Sequence, residues 1–237
     1  MWTVSNIFLR VHNSIHRMDR VEIVTHVPPG LPAAAAQDLA KPGSAVVLYR
    51  NPQRLVLYHL PATASQVRDT LTPVVRSLTA ATEVTLPAHV SGSMVRVITQ
   101  TLYLANAPGT TLKTREQAPR PTLKPLLAAA EHVPIAKHAQ TLTRGSLIAR
   151  FLGNERYDPA QFSAAVQGIF RTLPVRCTEL PATSEMGLLT AVGQGATVPP
   201  RLVVLEYRGV DSTRPIALVG KGITFDTGGL NLKPFEG

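Results

Sequence analysis

The first half of the chain alternates between short apolar runs and segments with helical spacing. Apolar side chains three and four positions apart predict amphipathic helices over residues 64–81 and Met94–Ala105. Residues 107–121 contain turn-forming Pro and Gly and predict a loop. The runs that predict strands are Val21–Val27, Ala45–Tyr49, Leu55–Leu60, Glu83–Ala88 and Leu123–Ala130. Strands that alternate with helices in this order indicate an N-terminal α/β domain over residues 20–133.

The second half of the chain begins with a long helical pattern over Ile135–Leu152, which predicts a linker helix at residues 134–153. Leu202–Tyr207 and Ile216–Val219 are continuous apolar runs, which are typical of strands buried on both faces of a parallel sheet. The other predicted elements are a helix that starts at Asp158-Pro159 and a short strand at Val175–Thr178. The predicted fold class is therefore α/β: an N-terminal α/β domain, a linker helix, and the truncated start of a second α/β domain at residues 154–237.

Composition narrows the class of protein. Hydrophobic residues make up 44% and charged residues 16% of the 237 positions, which excludes disorder for most of the chain. No stretch approaches the roughly 20 apolar residues that a membrane span needs, so no membrane partner is expected. The single cysteine, Cys177, excludes a disulfide framework and a cysteine zinc site and indicates an intracellular protein.

The N-terminus is basic and poor in acid. Residues 1–18 include Arg10 and Arg17 and no carboxylate. We interpret residues 1–19 as a mitochondrial presequence or as a flexible start of the N-terminal domain. The expected location is the cytoplasm, with the mitochondrion as the alternative.

The formal net charge is +9, spread along the chain with +6 in residues 1–136 and +3 in residues 137–237. A diffuse excess is typical of a solvated surface, and it is also the one feature that suggests nucleic acid or a large RNA-rich assembly as a partner. Aromatic residues are only 5% of the chain, which disfavours a dedicated reader of single-stranded RNA.

Chemistry-bearing residues concentrate in the run Val219–Lys233, VGKGITFDTGGLNLK. Lys221, Asp226 and Lys233 surround closely spaced glycines, which permit the turn that would bring these side chains together. Asp226 could bind a cation, a lysine beside a metal could ligate as the neutral amine, and a charged lysine could stabilise an oxyanion. Phosphate binding is an alternative, although the Walker pattern is absent. The remaining alternative is a glycine-rich turn with an Asp cap and two surface lysines.

The same run resembles the start of the active site in the M17 family of leucyl aminopeptidases. The upstream segment Leu189–Tyr207, LTAVGQGATVPPRLVVLEY, is similar to the family's GQG, PPRL and Tyr stretch. The resemblance implies that the C-terminal part is a metallo-aminopeptidase domain with two divalent ions, zinc or manganese. It also implies peptide substrates, which lose N-terminal residues such as leucine, and a homohexamer.

Residue roles follow from the resemblance position by position. Lys221 would be an unusual lysine ligand of one metal, and Asp226 would bridge both ions. Lys233 would be the charged catalytic lysine that polarises the scissile carbonyl, and all three would line the substrate site.

Two departures accompany the resemblance. Asn231 stands where the family usually has Ser, and Ile148-Ala-Arg-Phe151 stands where it usually has Ala-Arg-Asp-Leu. The family's further carboxylates, and its arginine that binds bicarbonate, belong to a later motif that residues 1–237 do not contain. We therefore expect the 237-residue chain to be inactive by itself, as a fragment of an aminopeptidase. The alternative is a non-catalytic relative that binds nucleic acid or a large assembly.

Overall fold

The computed structural model describes residues 19–50, 53–108, 120–209 and 214–224. The chain divides into two compact units, which we call unit 1 (Met1–Ala149) and unit 2 (Arg150–Gly237). The strands in the described ranges are β1 (Asp19–Val24), β2 (Ala45–Arg50), β3 (Gln53–His59), β4 (Thr82–Leu86), β5 (Leu123–Leu127), β6 (Val175–Pro181) and β7 (Arg201–Tyr207). The helices there are α1 (Ala33–Leu39), α2 (Ala64–Arg76), α3 (Gly92–Asn106), α4 (His132–Asn154), α5 (Pro159–Phe170) and α6 (Gly187–Gly193). None of these helices combines the length and apolarity that a membrane crossing requires.

Unit 1 contains a five-stranded sheet with the order β2-β3-β1-β4-β5. Strand β1 pairs in parallel with β3 and β4, and β4 pairs in parallel with β5. Strand β2 runs antiparallel at the edge, paired with β3 from Ala45↔Tyr58 to Arg50↔Gln53. The predicted α/β class is confirmed, because parallel strands joined through helices define it.

The two faces of this sheet are covered by different helices. Val56 and Tyr58 of β3 join the buried cluster that contains the apolar residues of α2 and α3. Leu55 and Leu57, the alternating residues of the same strand, pack with Leu39 of α1 in a second cluster. Successive side chains of a strand point to opposite faces, so α1 lies on one face of the sheet and α2 and α3 lie on the other.

Helix α2 is held at both ends by side-chain hydrogen bonds: its own N-cap residue acts at the start, and arginines from elsewhere in unit 1 act at the end. Its N-cap residue Thr63 accepts a hydrogen bond from the backbone N–H of Gln66 at 3.3 Å. At the other end, the Arg120 guanidinium donates to the carbonyl of Val75 at 3.0 Å, and Arg54 donates to the carbonyl of Ser77 at 3.3 Å. A cationic side chain stabilises the C-terminal end of a helix, because the last carbonyl groups lack partners within the helix.

The sequence predicted most elements of unit 1 but missed helix α1. Its seven residues, AAAAQDL, bury only Leu39, so no apolar stripe announces it. The predicted strand Leu123–Ala130 ends earlier, at Leu127, and the helix predicted over residues 64–81 ends at Arg76. Most of the loop predicted at residues 107–121 lies outside the described residues. The predicted domain limits at 20–133, 134–153 and 154–237 stay predictions.

Unit 2 is built on an antiparallel hairpin and helix α5. Strands β6 and β7 pair from Val175↔Tyr207 to Pro181↔Arg201. Helix α5 begins with a reciprocal cap, in which Asp158 accepts from the backbone N–H of Gln161 and the Gln161 side chain accepts from the N–H of Asp158. Pro159 follows at the first helical position, where its missing N–H costs nothing.

A polar network centred on Glu179 joins α5 to both strands of the hairpin. The carboxylate of Glu179 accepts hydrogen bonds from the Ser163 hydroxyl and from Arg201. Gln167 donates to the same carboxylate at 3.3 Å. Ser163 is fully buried, and these donors, Ser163 first, hold the pKa of Glu179 below its ordinary value.

The structure corrects two predicted strands of unit 2. Leu202–Tyr207 does form a strand, but it is antiparallel, and Leu202 and Leu205 are about two-fifths exposed. The strand predicted at Ile216–Val219 is wrong: Ile216, Leu218 and Val219 are 88%, 94% and 98% exposed and lie in no regular element. An apolar run forms a strand only beside a partner that receives its hydrogen bonds, and no described strand pairs with these residues.

The Glu179 network predicts a pH-dependent stability of unit 2. Because its folded pKa is lowered, Glu179 contributes stability that is fully present above its ordinary pKa of 4.5 and is lost as the pH falls through the lowered value. Thermal unfolding at pH 7 should show a lower midpoint for Glu179→Gln than for the parent, and the difference should shrink as the pH is lowered through the folded pKa of Glu179, below 4.5. Glu206→Gln is the matched control, since its ion pair with Arg176 spans 3.6 Å between exposed side chains. An equal effect of both substitutions at pH 7 would contradict the role of the network.

The cores of the two units predict unequal resistance to protease. Unit 1 contains a large buried apolar cluster, whereas Val166 is the one buried hydrophobic side chain in the described part of unit 2. Limited proteolysis should therefore leave a fragment that ends near residue 149 and should digest residues 150–237, which mass spectrometry would identify. Equal protection of both units in a monomer would show that this difference in burial does not control stability.

Candidate functional site

Lys221 is the one candidate site residue within the described part of the chain. It lies in the segment 214–224, outside regular secondary structure, and its side chain is exposed. The other candidates, Asp226 and Lys233, lie outside the described residues, as does Asn231. The structure thus leaves the amine of Lys221 accessible from solvent, and the proposed convergence of the three side chains stays a prediction.

Gly222, the residue after Lys221, lies near an aromatic side chain of α5. A Cβ atom added at Gly222 would lie 3.7 Å from Cε1 of Phe162, which is ordinary van der Waals contact. The Phe162 ring also meets Tyr157 edge to face, with ring centroids 6.4 Å apart and an interplanar angle of 74°. A side chain at position 222 would therefore meet Phe162, whereas Gly222 itself is exposed.

The residue that follows Phe162 on α5 belongs to the Glu179 network. Ser163, the residue after Phe162, is the hydroxyl that donates to Glu179, and Arg201 joins the same carboxylate from β7. No motif in the sequence points to Phe162, Glu179 or Arg201 as members of one arrangement. Spacing cannot reveal these contacts, because the residues come from three separate elements.

Close packing against Pro200 explains why the first residue of the GQG stretch, Gly193, is a glycine. Gly193 ends α6, and a Cβ atom at this position would lie 2.4 Å from Cγ of Pro200, which directly precedes β7. No real Cβ contact is that short, so only glycine lets the end of α6 pack against the proline ring. The glycine and the Pro-Pro pair of the sequence pattern are therefore partners in one packing contact.

Metal ligands are sparse in the structure described. No group of three or more His, Cys, Asp or Glu side chains that could hold a metal ion occurs among the described residues. The predicted donors, an amine nitrogen from Lys221 and a carboxylate from Asp226, are of a type that zinc and manganese accept. The donor chemistry thus fits a divalent metal, although these two side chains alone cannot complete the coordination of two ions.

Comparison with protein families matches residues 148–237 to the catalytic domain of the cytosol aminopeptidase family. Among curated proteins, a probable cytosol aminopeptidase of Exiguobacterium sibiricum is 62% identical over 52 residues, 22% of this chain and 11% of that protein. The corresponding protein of Pseudomonas fluorescens is 34% identical over 166 residues, 64% of this chain and 34% of that protein. The matches to these two relatives therefore span about a third of the relative's length or less.

Solved structures show the same fold. A mutant of tomato leucine aminopeptidase matches with a TM-score of 0.68 at 18% identity, over 95% of this chain and 57% of that one. The bottromycin maturation enzyme BotP in complex with Mn matches with a TM-score of 0.67 at 21% identity, over 81% of this chain and 46% of that one. The family model and the sequence relatives agree with this fold, and residues 148–237 of the chain match the catalytic domain of the cytosol aminopeptidase family.

Proposed function

We propose that this chain contributes to a metal-dependent leucyl aminopeptidase, which releases N-terminal amino acids from peptides in the cytoplasm. The observation that carries the proposal is the match of residues 148–237 to the catalytic domain, a range that contains the VGKGITFDTGG motif. Metal dependence is supported by BotP, which shares the fold and was solved in complex with Mn. A homohexamer, a bound bicarbonate and a mitochondrial form belong to the proposal as expectations. Binding of nucleic acid rests on the net charge of +9 alone and stays a prediction.

Lys221 and Asp226 would hold the metal. The exposed amine of Lys221 must lose its proton before it can ligate, and a nearby cation disfavours the ammonium form strongly enough to allow this. Asp226 supplies carboxylate oxygens, which bind a cation without a change of protonation at neutral pH. Two divalent ions, when bound, supply an activated water and an anchor for the substrate's amine.

Lys233 would act on the substrate rather than on the metal. Its ammonium group would donate to the carbonyl oxygen of the scissile bond and stabilise the negative charge that develops there.

The 237-residue chain should not release leucine from a chromogenic leucine amide, with manganese or zinc added. Its motif supplies one carboxylate and one ligating lysine, too few donors for two divalent ions. The same chain extended by the remaining part of a relative's catalytic domain should be active. Turnover by the unextended chain that disappears in Asp226→Ala would overturn the donor argument, and an inactive extended chain that binds metal would count against the proposed reaction.

In the extended chain, substitutions should separate metal ligands from the catalytic lysine. Lys221→Ala and Asp226→Ala should lower metal content, measured as ions bound per chain. Lys233→Ala should retain metal and lose about 10²–10³ in kcat, because its ammonium meets charge that appears mainly in the transition state. Lys137→Ala, which removes an exposed lysine of α4, is the control and should change neither quantity. Loss of metal in Lys233→Ala, with full metal and turnover in Lys221→Ala, would show that the two lysine roles are assigned wrongly.

A further inference from the structure

The sheet of unit 1 has a topological switch point between β1 and β4. The chain leaves β1 through α1 toward β2 and β3 on one side of the sheet, and it leaves β4 through α3 toward β5 on the other. Adjacent parallel strands whose connections diverge leave a crevice at their carboxyl ends, and open α/β sheets bind ligands there. The residues that follow β1 and β4 are therefore the place in unit 1 to search for a ligand site.

Two histidines and a threonine meet at this point. Thr25 and His26 follow β1 directly, and His89 follows β4 by three residues. The Thr25 hydroxyl lies 2.9 Å from Nε2 of His89 and 3.4 Å from Nδ1 of His26. His26 and His89 are both exposed residues.

The backbone that carries these side chains is held on both sides of the crevice. At the end of β1, the carbonyl of Val24 accepts a hydrogen bond from Leu60 at 2.8 Å. After β4, the N–H of Val90 donates to the carbonyl of Pro87 at 3.4 Å and closes a turn around His89, and the Val90 side chain is buried in the main core. The anchored backbone lowers the entropy lost when the two rings are immobilised on a ligand.

The donor set selects one class of ligand. Two neutral imidazole nitrogens suit zinc, copper or nickel, whereas magnesium and calcium require mostly carboxylate and carbonyl oxygens. The Thr25 hydroxyl has one proton and can donate to only one ring, so in the free protein the other ring must turn an N–H toward it. A cation would satisfy both ring nitrogens as acceptors at once.

Two other histidines of unit 1 do not belong to this group. His59 ends β3, but its Nδ1 lies 2.9 Å from the carbonyl of Leu39, and His132 is 3% exposed at the start of α4. The described residues contain no group of three or more His, Cys, Asp or Glu side chains that could hold a metal ion, so solvent would complete the coordination of an ion held by His26 and His89. We propose that His26 and His89, beside Thr25, bind a borderline divalent cation such as Zn²⁺ at the β1–β4 switch point, independently of the aminopeptidase loop.

Zinc chloride titrated into the tag-free 237-residue chain by calorimetry tests the proposal. The parent for this experiment carries Lys221→Ala and Asp226→Ala, so its result does not depend on the proposed aminopeptidase metal site. It should bind one equivalent of Zn²⁺ saturably. Loss of one of two imidazole ligands should weaken binding about tenfold or more in His26→Ala and in His89→Ala, since even supporting residues of metal sites contribute that much.

A matched control separates this pair from histidines in general. His138→Ala removes another exposed imidazole, on α4, and should leave the affinity unchanged. Zinc should also protect His26 and His89, but not His138, from modification by diethyl pyrocarbonate, as measured by peptide mass spectrometry. Absence of saturable binding, unchanged affinity in His26→Ala or His89→Ala, or protection of His138 instead would overturn the proposal. All variants alter exposed rings, so their thermal midpoints should match the parent's, and a shifted midpoint with unchanged zinc affinity also counts against the proposal.

Discussion

Burial of the central strands on both faces is the constraint on which the rest of unit 1 depends. Val21 and Ile23 of β1 are 1% exposed, and β3 contributes buried side chains to both apolar clusters. One face is covered by α2 and α3 and the other by α1, so the connections must diverge from adjacent parallel strands. The switch point between β1 and β4, where Thr25 and His89 meet, is a direct consequence of that coverage.

Unit 2 is organised by polar contacts to a greater degree. Its described part buries few apolar side chains, and its hairpin and helix are joined through the carboxylate of Glu179, which takes donors from α5 and β7. Hydrogen bonds to a charged acceptor are strong and directional, so this network fixes the position of α5 more narrowly than apolar contact alone would. The Phe162 ring on that helix lies near Gly222, beside the candidate ligand Lys221.

Sequence alone indicated the resemblance to the aminopeptidase family, the α/β class and the position of most elements. These follow from local information: the motif VGKGITFDTGGLNLK is contiguous, and helices such as α2 and α3 have apolar residues at helical spacing. The sequence also predicted where α5 starts, because Asp158 and Pro159 are residue types that favour the beginning of a helix. The local pattern of residues therefore sufficed to predict an element wherever that element is determined by residues within one helical turn or one strand.

Tertiary structure decided what depends on partners distant in the chain. The run Ile216–Val219 has the composition of a buried strand but is exposed, because an apolar run needs a neighbouring strand to become one. Leu202–Tyr207 became antiparallel because Val175–Pro181 lies beside it, a choice that its own sequence does not contain. The meeting of Thr25 with His89, 64 positions along the chain, likewise arises only when the parallel sheet sets the ends of β1 and β4 side by side.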